Sequence, residues 1–235
     1  MTFFFFAMIS HFPPFFFFKK KKMNSDWSFV EEHLPDSDSE RTDLALSYIV
    51  HAETIGDISQ RKPYYDVAFK LLLKITEGGT DVTTAYSNLG TMYTYGFFVT
   101  EIDYFKANEN FLRAYELGDR RVASCLGSMC LHGNGCERDV HKAIEWFKIT
   151  AEDGDVMSIF NLAQIFRYGK DDIAPNKKVA DYLFDLLKAI NQGKNANNGA
   201  VFHSHMITDT DGNSVTPVDA DGTPISVFDE DGNII

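Results

Sequence analysis

A set of landmarks recurs along residues 44–193 at intervals of 36 to 39 residues, and this period limits the possible folds more than any other feature of the chain. Leu89-Gly90 returns as Leu126-Gly127 and then as Leu162-Ala163. Gly96, Gly133 and Gly169 keep the same register, as do Ala107, Ala143 and Ala180. Gly118, Gly154 and Gly193 close the units. Ala68 and Gly79 stand 39 residues before Ala107 and Gly118, which marks a degenerate first copy. Four units follow, at 44–79, 83–118, 120–154 and 157–193. A period of this length belongs to arrays of small supersecondary units, none of which buries its apolar face without a stacked neighbour.

Within each unit the pattern predicts two antiparallel helices. In the second unit Tyr86, Leu89 and Tyr93 share a face, with Ala85 and Met92 beside them. Gly96 is the expected stop, because glycine takes the left-handed cap conformation without a Cβ penalty. Asp103, Asp139 and Asn176 each stand four residues before the repeat alanine. Their side-chain oxygens suit the N-cap of a second helix. Phe111 and Phe147 then fall one turn after Ala107 and Ala143, on the core face. Gly90 and Gly127 lie in mid-helix, where glycine costs about 1 kcal/mol relative to alanine. That cost predicts a close approach of two helix backbones. The expected fold is an all-α solenoid of helix-turn-helix units.

The third unit carries a resemblance. Leu126-Gly127, Gly133-Asn134-Gly135, Asp139, Lys142-Ala143, Trp146-Phe147, Ala151-Glu152 and Gly154 together resemble a Sel-one-like repeat, an α-solenoid family related to tetratricopeptide repeats. Cys130 takes the place of its usual aromatic. The unit at 83–118 keeps Asn88-Leu89-Gly90, Tyr93 and Ala107, but has Phe97-Phe98 at the loop glycine and Asn110 at the first aromatic. The unit at 157–193 keeps Asn161-Leu162 and Phe166, with a second helix two residues longer. The resemblance implies an adaptor that holds partner proteins and not a catalyst. Cysteine-rich relatives look like penicillin-binding β-lactamases with a disulfide in each repeat. That arrangement implies a second cysteine near Ala114 or Ala151, so Cys125 has no such partner here. A hydrolase of this kind and a purely structural subunit remain the alternatives to an adaptor.

The flanks differ in composition. Residues 1–22 hold nine of the 21 phenylalanines and end in four lysines. A secretory signal places its charge before the apolar run, and here the charge follows it. T-rich and A-rich tracts encode Phe and Lys, so this leader reads as translated upstream DNA, with Met23 the expected start. A short apolar anchor is the other reading. Residues 23–43 read as an acidic, Ser-rich linker, broken at Leu34-Pro35, from which Trp27 and Phe29 are placed to dock on the first repeat. Residues 194–235 carry a ten-residue period of Asp-Gly turns at Asp211-Gly212, Asp221-Gly222 and Asp231-Gly232. Val215 to Val218 and Ile225 to Phe228 are the expected strands, giving a β-meander or a disordered tail. If these aspartates occupy position 5 of a calcium loop, position 1 falls on Ile207, Pro217 and Val227, so the first ligand is missing each time.

The formal charge is −12, and −16 without the four leader lysines. This balance opposes binding to nucleic acid or to an anionic membrane surface. Three cysteines are too few for a disulfide framework and point to a reducing, cytoplasmic setting. Cys130, His132, Cys136 and His141 form the one cluster with metal-capable atoms. Their spacings do not follow the zinc pattern, and each occupies an ordinary repeat position. No phosphate loop, nucleophile elbow or zinc-protease helix is present, and neither catalytic residues nor a cofactor are expected. The expected function is protein–protein interaction with an unknown partner protein. Asn88, Thr91 and Tyr95 lie on one helical stripe, matched by Cys125, Ser128 and His132 and by Asn161, Gln164 and Tyr168. Of these, Asn88, Thr91, Tyr95, Ser128, His132, Asn161, Gln164 and Tyr168 are the candidate partner-binding residues, on the concave face of the solenoid.

Overall fold

The computed structural model describes residues 23–78, 82–96 and 100–191, together with the short strands 201–202, 207–208 and 214–215. Among the described residues nine α-helices follow one another: α1 (Trp27–Glu32), α2 (Asp38–Thr54), α3 (Lys62–Thr76), α4 (Thr83–Tyr95), α5 (Tyr104–Glu116), α6 (Ala123–His132), α7 (Val140–Glu152), α8 (Val156–Tyr168) and α9 (Lys177–Asn191). The strongest packing is within the pairs α2–α3, α4–α5, α6–α7 and α8–α9, and each pair leans on the next. This is the arrangement of a two-helix solenoid.

The helix limits follow from local chemistry. Asp103 and Asp139 each accept the backbone N–H three residues on, from Lys106 and Lys142, at 3.0 Å. Asn176 does the same for Val179 at 3.2 Å. At the other ends of α4 and α6, Gly96 and Gly133 take φ of 73° and 74°, and their N–H groups bond the carbonyls of Met92 and Met129. A side chain at either position would be strained.

Burial follows the repeat. Ala107, Phe111 and Ala114 are buried on α5, and Ala143, Phe147 and Ala151 on α7. Completely burying a phenylalanine stabilises the fold by about 1.5–3 kcal/mol relative to exposure. Trp146 packs against both halves of the core and meets Tyr115 edge-on, with ring centroids 4.8 Å apart, which makes the interior continuous across the second and third units.

The mid-helix glycines differ from the expectation of backbone against backbone. A Cβ on Gly90 would lie 2.7 Å from the Phe111 ring, and one on Gly127 would lie 2.8 Å from the Phe147 ring. The space is occupied mainly by a phenyl ring from the paired helix. At Gly127 the Ala143 carbonyl also stands close, at 3.2 Å.

The acidic segment before Leu44 also differs from a flexible linker. Asp26 caps α1 and Ser37 caps α2. Ser37 donates to the Glu40 carboxylate while its oxygen accepts the Glu40 N–H, which starts α2 six residues before Leu44. Trp27, Val30 and Leu34 pack on the core formed by α2 and α3, and Tyr48 donates to the Asn24 carbonyl at 2.6 Å. Phe29, by contrast, is 47% exposed and stacks on His33. The expected break at Leu34-Pro35 falls between the two helices.

In the tail, Val201–Phe202, Ile207–Thr208 and Ser214–Val215 pair antiparallel in the order β1-β2-β3. The leader, Gly79, Phe97-Phe98, Gly193, the Asp-Gly turns and the expected strand at Ile225 to Phe228 lie outside the described residues.

Candidate partner-binding face

The three stripes sit on α4, α6 and α8, the first helices of successive units. At the last turn of each, the equivalent residues Tyr95, His132 and Tyr168 are all exposed, Tyr95 by 43% and Tyr168 by 75%. Two residues earlier in each helix, the equivalent positions Tyr93, Cys130 and Phe166 are all buried. The repeat therefore separates a core position from a surface position, and both carry large or polarizable side chains.

The rest of the stripe is less open. Thr91 is buried, and its hydroxyl donates to the Ser87 carbonyl of its own helix. Asn88 is half-buried and donates to the Thr84 carbonyl at 2.8 Å. Cys125, Ser128, Asn161 and Gln164 are half-buried. His132 Nδ1 lies 2.8 Å from the Ser128 carbonyl, which orients the ring at the end of α6. Burial, with help from Cys125 and Tyr104, raises the Tyr95 hydroxyl above its ordinary range, so this phenol stays neutral. The same cause pushes the Cys125 thiol up to about 12, leaving very little thiolate at neutral pH.

Beside this face, a groove of about 540 Å³ opens between the start of α5 and the loop after α6. Ile102, Tyr104, Phe105 and Gly133 to Gly135 line it, and Phe105 is 76% exposed. Gly135 fits because a Cβ there would lie 1.9 Å from the Tyr104 carbonyl oxygen.

The four metal-capable residues do not converge. His141 Nε2 faces the Asp172 carboxylate at 2.9 Å, which raises the imidazole pKa, while His132 is held by Ser128. Only the two sulfurs meet. Among the described residues no group of three or more His, Cys, Asp or Glu is placed to hold a metal ion.

Sequence reasoning missed the residues that join the units. Asp119 is buried, accepts from Ser87 at 2.6 Å and is paired with Arg121 at 2.8 Å. Asp155, 36 residues on, caps α8 through the Ser158 N–H. The repeated dipeptides Gly118-Asp119 and Gly154-Asp155 were the available signal.

The helix pairs, their stacking and the shared register define an α-α solenoid repeat protein. Residues 83–119, 126–155 and 156–193 match the model of the Sel1 repeat family. The first pair, α2–α3, lies before the matched segment. The fold is similar to the crystal structure of a Sel1 repeat protein from Oxalobacter formigenes, with 19% identity and a TM-score of 0.51 over 68% of this chain and 59% of that one. A protective antigen of uropathogenic Escherichia coli that displays an SLR fold aligns with 20% identity and a TM-score of 0.42, over 71% of this chain and 40% of that one. The chain thus spans less than two thirds of the length of either. No curated protein matches it. Sel1 repeat proteins generally act as protein-interaction scaffolds, and the fold is typically non-catalytic. Among the described residues no helix is long and apolar enough to cross a membrane.

Proposed function

We propose that the chain is a non-enzymatic, cytoplasmic adaptor that holds an extended segment of a partner protein along the first-helix side of its solenoid. One observation carries this reading. Three successive units place a ring with a polar tip at the same last-turn position, and all three are exposed although the neighbouring repeat position is buried. Aromatic side chains of this kind bury much area at low entropic cost when they grip a peptide. First helices line the concave side of a two-helix solenoid, which turns three equivalent positions into one track. Asn88, Thr91, Ser128, Asn161 and Gln164 flank that track, with Thr91 acting through its helix and not by direct contact.

The test is partner capture by a Tyr95→Ala, Tyr168→Ala double variant. Capture is expected to weaken by about tenfold or more while circular dichroism keeps its helical signal. A folded variant that captures fully would place the partner on another face. The hydrolase alternative is checked with a chromogenic β-lactam, for which the account expects no turnover above buffer. The bonds of Asn88 and Thr91 to their own helix favour the second reading, a structural subunit, and failure of the wild type itself to capture a partner would support it.

A further inference from the structure

We propose that Cys130 and Cys136 form a reversible oxidation site, taking as co-substrate a low-molecular-weight disulfide of the glutathione class. All three cysteines of the chain are free thiols, and Cys136 Sγ lies 3.8 Å from Cys130 Sγ. Cys130 is buried in the last turn of α6, while Cys136 is half-buried in the loop that follows. A disulfide needs a sulfur separation of about 2.0 Å, so roughly 1.8 Å of closure is required. Rotation about a single χ1 angle supplies a movement of that size. Among the described residues no group of three or more His, Cys, Asp or Glu is placed to hold a metal ion, which leaves the pair as a dithiol.

The chemistry proceeds by two exchanges. The more accessible Cys136 loses its proton to solvent and attacks one sulfur of the small disulfide. A Cys136–glutathione bond forms, and the other half leaves as a thiolate. Cys130 then loses its proton and attacks Cys136 Sγ, releasing the second half as a thiolate. Two protein thiols are oxidised and one small disulfide is reduced to two thiols. Burial raises the Cys130 thiol above its ordinary range, so the second exchange accelerates as pH rises.

The location gives the site its consequence. The bond spans Gly133-Asn134-Gly135, with φ of 74° and 73° at the two glycines, and Gly135 abuts the Tyr104 carbonyl of the preceding unit. It therefore pins the loop that lines the groove beside Phe105.

The experiment treats the reduced full chain, freed of reductant, with oxidised glutathione, and reads intact mass after alkylation under denaturing conditions. The expected product carries one alkyl group, on Cys125, where the reduced chain carries three, and dithiothreitol added before alkylation restores all three. Cys125→Ser is expected to behave like the wild type. Cys130→Ser is expected to stop at a glutathione adduct on Cys136, and Cys136→Ser to form no disulfide. Three alkylatable thiols in the treated wild type, a persistent glutathione adduct there, or a disulfide that disappears in Cys125→Ser would overturn the proposal. Should Cys130→Ser fail to fold, the wild type and Cys125→Ser decide the matter, since the latter has only the two thiols in question.

Discussion

Gly127 shows how a single residue reports on packing. Alanine is preferred to glycine by about 1 kcal/mol in a helix interior. At this site its Cβ would meet the Phe147 ring at 2.8 Å and the Ala143 carbonyl at 3.2 Å. Overpacking of a filled core costs about 1–3 kcal/mol, so it outweighs the propensity gain. Gly127→Ala is expected to lower stability by up to about 2 kcal/mol in urea unfolding, and Phe147→Leu in the same chain should restore part of that loss. A stabilised Gly127→Ala would show that the ring moves freely. The cost of a mid-helix glycine was legible in the repeat, but its cause was not, because the partner ring stands 20 residues away. Asp119 belongs to the same scale. Burial alone would raise its carboxyl, but the bonds from Arg121 and Ser87 outweigh it and hold the pKa below the ordinary range. A depressed folded-state pKa gives stability that is present above the unfolded value near 3.9 and is lost as pH falls through the folded value. Asp119→Asn is therefore expected to cost about 1–3 kcal/mol at pH 7. Its deficit against the wild type should shrink in thermal melts below about pH 4.

Helix ends were more legible than helix neighbours. Asp103, Asp139 and Asn176 were readable as caps because the cap bond is local, joining residues three apart. The start of α2 was missed although Ser37 and Glu40 form a capping box, since the acidic, Ser-rich composition around them reads as disorder. What orders that segment is distant in sequence: the core of α2 and α3 under Trp27, Val30 and Leu34, and the Tyr48 hydroxyl bonded to Asn24. Helix α1 thus covers the open end of the first unit, as the outer elements of a repeat array must. A chain beginning at residue 37 is expected to be less stable than one beginning at residue 23 by about 2–4 kcal/mol, from the loss of two or three buried apolar side chains. Equal urea midpoints for the two chains would show that α1 contributes no packing.

For the molecule as a whole, the solenoid could be read from the sequence because stacking forces identical requirements on every unit. Tyr93, Cys130 and Phe166 must all be buried, and Leu89, Leu126 and Leu162 likewise, so packing leaves a period. Recognition leaves none by necessity, since a bound segment presents different chemistry to each unit. The equivalence of Tyr95, His132 and Tyr168 was nevertheless visible, while the closure of Thr91 onto its own helix depended on a rotamer that no pattern records. The central claim, that partners lie on the first-helix side, is tested most directly by placing a photoactivatable phenylalanine analogue at position 168 and, in a separate chain, at position 112. Both positions are exposed, but Leu112 belongs to the second helix α5. The account predicts a crosslinked partner from position 168 and none from position 112. Crosslinking from position 112 with none from position 168 would contradict it.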